Sequence, residues 1–213
     1  MEQVTEMTEP TNQRNYLPAV AALLLAALFP FYWGNLFLSS STDWYLELQQ
    51  DLQNFSAFDF LFIVIGILEI YVLWSLRKAL ADQLNVASAK IMLWMMIVSV
   101  AVFHASVLVD MSLSFKTDPV SPISMENITD TVLFLAFSAL FIYAICGGVF
   151  SIVLLFRHSQ IPTLLKVFSV LLMISCLFQL TILLAALNII LFPVALLILA
   201  VYFVKNDPVV EVV

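Results

Sequence analysis

Polar residues are concentrated in short gaps between long apolar blocks, at Leu17–Leu38, Phe58–Leu76, Ile91–Leu113, Thr131–Phe156, Leu164–Leu184 and Leu187–Val204. Each block holds roughly the 20 apolar residues that a helix needs to cross a hydrocarbon core about 30 Å thick. The last two blocks come from one stretch, because 38 residues separate Lys166 from Lys205 without a charged side chain among them. At about 1.5 Å of rise per residue that is about 57 Å of helix, too long for one crossing. The stretch therefore crosses twice, with a tight turn at Ala185 to Asn188 and Pro193 just beyond it. The pattern predicts an all-α, polytopic membrane helix bundle of six transmembrane helices.

The gap between the first and second spans has a pattern of its own. Trp44, Leu48, Leu52 and Phe55 recur at helical spacing while Glu47, Gln50 and Asp51 occupy other faces. This predicts an extracytoplasmic amphipathic helix lying at the interface, with Thr42 or Asp43 as its cap and Trp44 and Tyr45 at headgroup level. The gap from Lys116 to Asp130 contains Pro119 and Pro122 and reads as too broken for a long helix. Pro30 should kink the outer half of the first span.

Composition agrees with the blocks: 63% of the residues are hydrophobic, 11% are charged, and the mean hydropathy is +1.06. One bundle over residues 16–205 is expected, flanked by a disordered cytoplasmic tail at 1–15 and a short cytoplasmic tail at 206–213. The leader carries Glu2, Glu6 and Glu9 against Arg14 and lacks a small-x-small cleavage site, so the first span reads as a retained anchor. The net charge of −7 and the scattered basic residues argue against nucleic acid as a partner. With six crossings, Arg14, Arg77, Lys78, Lys90, Arg157, Lys166 and Lys205 share one side and Lys116 alone lies opposite. By the positive-inside rule the chain is a multi-pass protein of the cell membrane with both termini cytoplasmic.

Against this background the intramembrane polar residues stand out. A carboxyl group inside an apolar span costs about 2.5 kcal/mol or more on insertion scales and must face protein, water or a proton. Glu69 is such a residue, about 12 Å from the basic edge at Arg77 and level with Ser99; His104, Tyr143 and Gln179 fall about 20 to 22 Å from that edge. The five form a candidate polar seam, with Glu69 and His104 as proton or cation coupling groups. Asp110, near the outer edge of its helix, reads as solvated. Gly147 and Gly148, beside Cys146 and Ser151, form a small-residue patch suited to close helix packing.

Enzyme chemistry finds no foothold, and no catalytic residue is nominated. There is no HExxH, GxSxG or phosphate-binding glycine loop, Cys146 and Cys176 form no CxxC, and His104 and His158 are placed too far apart to share a metal or haem. No metal or other cofactor is expected. Asn54-Phe55-Ser56 and Asn127-Ile128-Thr129 match glycosylation sequons on predicted outer loops, a match that arises readily by chance. Two functions lead, a non-enzymatic accessory or assembly subunit held in the lipid bilayer with a protein partner, or a small transporter or channel; a membrane enzyme with an unfamiliar active site ranks third. Because six short spans are expected to enclose little space, the second would work as a homo-oligomer.

Overall fold

The computed structural model describes residues 16–39, 43–83, 87–116, 120–157, 159, 161–181 and 184–205. The tails at 1–15 and 206–213, together with Thr42, Asp118, Pro119 and His158, lie outside the described residues. The described helices are α1 (Tyr16–Ser39), α2 (Trp44–Asp51), α3 (Ala57–Gln83), α4 (Ala87–His104), α5 (Val107–Ser114), α6 (Pro122–Phe156), α7 (Thr163–Leu180) and α8 (Asn188–Lys205). A 3-10 turn at Ala185–Leu187 joins the last two, where the long uncharged stretch was expected to reverse. Six segments of the described residues are long and apolar enough to cross a membrane: α1, α3, α4 with α5, α6, α7, and the 3-10 turn with α8.

These six segments close into a ring in chain order. α1 packs on α3, α3 on α4, α4 on α6, α6 on α7, α7 on α8, and α8 returns to α1. The inward stripes follow helical periodicity: Ile65, Val72 and Leu76 on α3, Ala144, Phe150 and Leu154 on α6, Leu165, Leu172 and Cys176 on α7, and Leu196, Leu199 and Phe203 on α8 are all buried. One end of the ring carries Arg77, Lys78, Lys90, Arg157, Lys166 and Lys205; the other carries α2 and the carboxylates of Asp43, Glu47, Asp51, Asp59, Asp110, Glu126 and Asp130. We call these the basic and acidic ends. At the basic end Arg77 lies over the indole rings of Trp74 and Trp94, 5.4 and 4.9 Å from their centroids.

Three local expectations change. The segment read as a broken loop is helical from Pro122 onward, because Pro122 stands at the start of α6, where its missing N–H costs nothing, and the Ser121 hydroxyl accepts the Ser124 N–H. Thr129 of the second sequon is consequently buried within a helix, its hydroxyl bonded to the Met125 carbonyl. The third span is two helices, divided at Ala105 and Ser106. There the Ser106 hydroxyl donates to the Phe103 carbonyl and His104 Nδ1 to the Val100 carbonyl, side chains taking backbone acceptors that a regular helix would use. Asp110 has a buried Oδ1 without a hydrogen-bond partner, so it is not fully solvated.

α2 is shorter than its sequence pattern and does not turn its whole apolar face outward. Leu52 is 3% exposed and packs with Leu48 against Leu113 of α5 and against Met125 and Ile128 on the part of α6 that was read as loop. The Tyr45 hydroxyl donates to Asp130 over 2.8 Å, and the Phe55 N–H donates to the Ser114 hydroxyl. Trp44 and Phe55 remain exposed.

Burial, and then the nearby Asp59, push the Asp51 carboxyl upward from its usual range. A carboxyl raised in the folded state holds its proton more tightly than in the unfolded chain, so folding loses stability as pH rises from the usual carboxylate range through the raised value. Asp51→Asn removes that loss. Thermal unfolding should show the variant more stable than the parent at neutral pH, with the gain vanishing as pH falls below about 4; a pH-independent difference would contradict the assignment.

Candidate functional site

The ring is packed solid toward its basic end and hollow toward its acidic end. Leu25, Leu76, Leu93, Phe150, Leu154 and Leu165 are fully buried in the packed part. Above them lies a cavity of about 440 Å³ lined by residues from all six spans. On α1 its lining runs from Phe29 to Phe37, about 12 Å of helix. The hollow is partly open to the molecular surface.

Glu69, Ser99, His104, Tyr143 and Gln179 all line this one cavity, from α3, α4, α6 and α7. Glu69, 8% exposed, sits at its floor, where the Tyr143 side chain stands beside the carboxyl group. By helical rise Tyr143 lies nearer to His104 than to Glu69; its long side chain reaches down and joins the two layers. Glu69 and Tyr143 also line a much smaller void of about 10 Å³ beneath the floor, walled by Phe150, Leu196 and Leu199 and too small to hold more than one water. The pair thus separates the open cavity from the packed plug.

His104 is held by three contacts. Its Nδ1 is 2.9 Å from the Val100 carbonyl, which can only accept, so Nδ1 carries a proton, and in the neutral imidazole Nε2 then keeps its lone pair. The ring stacks on Phe62 with centroids 4.3 Å apart, and it lies against the bare backbone of Gly66. A Cβ placed at Gly66 would come within 2.5 Å of His104 Cγ and 2.9 Å of its Cβ. Gly66→Ala should therefore displace the imidazole and destabilise the bundle by about 1–3 kcal/mol, as overpacking does. Thermal unfolding together with the His104 ring resonance checks this; an unmoved resonance would show that the ring does not need the glycine.

Gly66 was not singled out from the sequence, and neither were Ser175 and Asn188. Asn188 was read as a turn residue, yet its side chain is buried and bridges α7 and α8: Nδ2 donates to the Ser175 carbonyl over 3.0 Å and to Gln179 Oε1 over 3.2 Å. Because those acceptors fix the amide nitrogen, Asn188 Oδ1 is left buried without a partner, as is Ser175 Oγ. The signal was available, since an amide in an uncharged stretch raises the same question as Gln179. Apolar lining comes largely from aromatic rings, among them Phe29, Trp33, Phe103 and Phe192, and Phe29 and Phe192 touch with centroids 4.8 Å apart.

Of the glycine pair, Gly147 is buried, and a Cβ there would lie 2.7 Å from Cys176 Sγ and 3.4 Å from Met96 Cε, so α4, α6 and α7 meet at a point with no room for a side chain. At Gly148 the nearest atom would be 3.9 Å away. Both cysteines are free and buried. Among the described residues no group of three or more His, Cys, Asp or Glu side chains is placed to hold a metal ion.

Fold and site together define a polytopic helix bundle whose six apolar spans surround a polar-floored cavity. Comparison with protein-family models, with curated proteins and with solved structures finds no match to this chain.

Proposed function

We propose that this protein is a small membrane transporter that binds a solute in the central cavity and couples its passage to protonation of Glu69. The observation that carries this reading is the convergence of Glu69, His104, Tyr143 and Gln179 on one cavity that reaches the surface. An accessory subunit has no need to place a carboxyl group at the floor of an accessible hollow, and such groups are costly in a membrane unless they bind or move something. The volume lies in the range of small-molecule sites, and apolar walls with a few convergent polar groups are their usual composition.

One chain encloses this space by itself. The cavity of about 440 Å³ is more room than six short spans were expected to enclose, so forming it needs no second copy. Orientation follows from charge: the basic end faces the cytoplasm, while the cavity mouth and α2 face outward. In intact cells, Lys116→Cys should be labelled by an impermeant maleimide and Lys90→Cys only after permeabilisation; the reverse pattern would invert the protein.

The coupling is tested in proteoliposomes enclosing a pH-sensitive dye. Gradients of small amines, carboxylic acids and sugars are imposed one at a time. At least one class should drive proton movement that Glu69→Gln abolishes. Absence of proton movement with every class, together with a stoichiometric partner chain in the native mass of gently extracted protein, would overturn transport in favour of the accessory role.

A further inference from the structure

The chemistry left unsatisfied in the cavity specifies what it binds, and this step rests on the reading of the cavity as a solute site. Its polar groups have mostly spent their donors on the protein. The Ser99 hydroxyl donates to the Met95 carbonyl, His104 Nδ1 to Val100, and Asn188 Nδ2 to Ser175 and Gln179. What remains is an excess of acceptors: the Glu69 carboxyl oxygens, His104 Nε2 and Asn188 Oδ1. Two of the unpartnered atoms belong to side chains more than nine-tenths buried, since Asn188 is 8% and Ser175 4% exposed. Buried acceptors without partners are costly and rare, and a ligand that donates to them removes the cost.

Charge and shape narrow the class. Among the described residues that line the cavity there is no lysine or arginine, and with His104 neutral the side chain that carries a full charge is the Glu69 carboxylate. An anion would enter a site with no countercharge. The aromatic walls favour an apolar body and attract a cation through the ring faces. The donors that remain, the Gln179 amide and the Ser175 hydroxyl, are neutral and suit a secondary polar group.

We infer that the cavity binds a hydrophobic ammonium ion, a protonated primary or secondary amine on an apolar body, with its N–H groups directed to Glu69 and Asn188 Oδ1. A carboxyl group that holds a proton cannot also face an ammonium ion as a carboxylate, so proton and ligand compete for the same residue. The titratable groups around Glu69 are Tyr143 from α6, His104 from α4 and Cys176 from α7; those described on α1 and α8 in the lining are none. Binding therefore weakens as pH falls, and exchange of the ammonium ion for protons follows from one site serving both.

The test uses the full chain in detergent or nanodiscs and three probes of one skeleton: diphenylpropylamine, its N-trimethyl derivative and diphenylpropionate. Equilibrium binding should rank them in that order. The trimethyl compound keeps the charge but has no N–H, and the carboxylate reverses the charge. Glu69→Gln should weaken the amine by about tenfold or more, equivalent to about 1.4 kcal/mol or more, and Glu69→Asp should restore most of it. Asn188→Leu should weaken the amine and not the trimethyl compound, a split that a general loss of structure cannot produce. Equal binding of amine and carboxylate, or an amine affinity indifferent to both Glu69 variants, would overturn the assignment. Amine binding without proton movement in proteoliposomes would support this ligand class and overturn the transport reading. Glu69-dependent proton movement driven by acids or sugars, with no amine binding, would do the reverse.

Discussion

Glu69→Gln should leave the bundle folded and stop the proton-coupled transport proposed for this cavity. The substitution keeps the shape of the side chain and an amide oxygen beside Tyr143, so the contact at the cavity floor survives. It removes the carboxyl group that would take up and release a proton at the cavity floor. It also removes the desolvation cost of a carboxyl group that is 8% exposed, so thermal stability should be equal to or above that of the parent. Both quantities are measurable on one preparation: unfolding temperature in detergent, and solute-driven acidification in proteoliposomes. A stable variant that still moves protons would mean that Glu69 is a structural hydrogen-bond acceptor and nothing more. A variant that loses stability sharply would place the carboxylate itself among the forces that hold α3 to α6.

How this site arises from the chain is partly visible in the sequence, and the division has physical reasons. Span number, the reversal near Ala185 and the helical character of Trp44–Asp51 follow from hydropathy and periodicity, because the bilayer imposes length on every crossing. The polar residues could be listed for the same reason: each costs enough in lipid to stand out. What hydropathy cannot carry is helix order around the ring and rotation of each helix about its axis. Whether Glu69 and Gln179 meet depends on α8 closing against α1, and that is a property of packing between distant segments. Gly66 is silent in sequence because its function is to be absent where the His104 ring needs space. Asn188 was hidden by its position, since an amide beside a turn is ordinarily a turn residue. Pro122 misled for the opposite reason: proline ends helices from within but begins them at the first position.

Phe150→Ala should weaken the protein more than any change in the cavity itself, and should open the floor. Phe150 is fully buried at the centre of the packed half, and it walls the small void directly beneath Glu69 and Tyr143. Removing a buried phenyl ring leaves a space that neighbours fill only in part, which costs about 3–5 kcal/mol in well-packed interiors. Here the new space would merge with a void of about 10 Å³. A ring's volume is enough for several waters, and the Glu69 carboxyl group would supply the polar partner that buried water requires. The expected result is a large fall in unfolding temperature together with a proton leak through proteoliposomes that needs no solute gradient. Phe150→Leu, which restores most of the volume, should recover stability and abolish the leak. If Phe150→Ala were as destabilised as expected yet proton-tight, the barrier between Glu69 and the basic end would have to lie in the deeper layer of Leu76, Leu93 and Leu165. The coupling step would then require movement of whole helices past that layer, because a dry layer of leucines offers a proton no group to occupy.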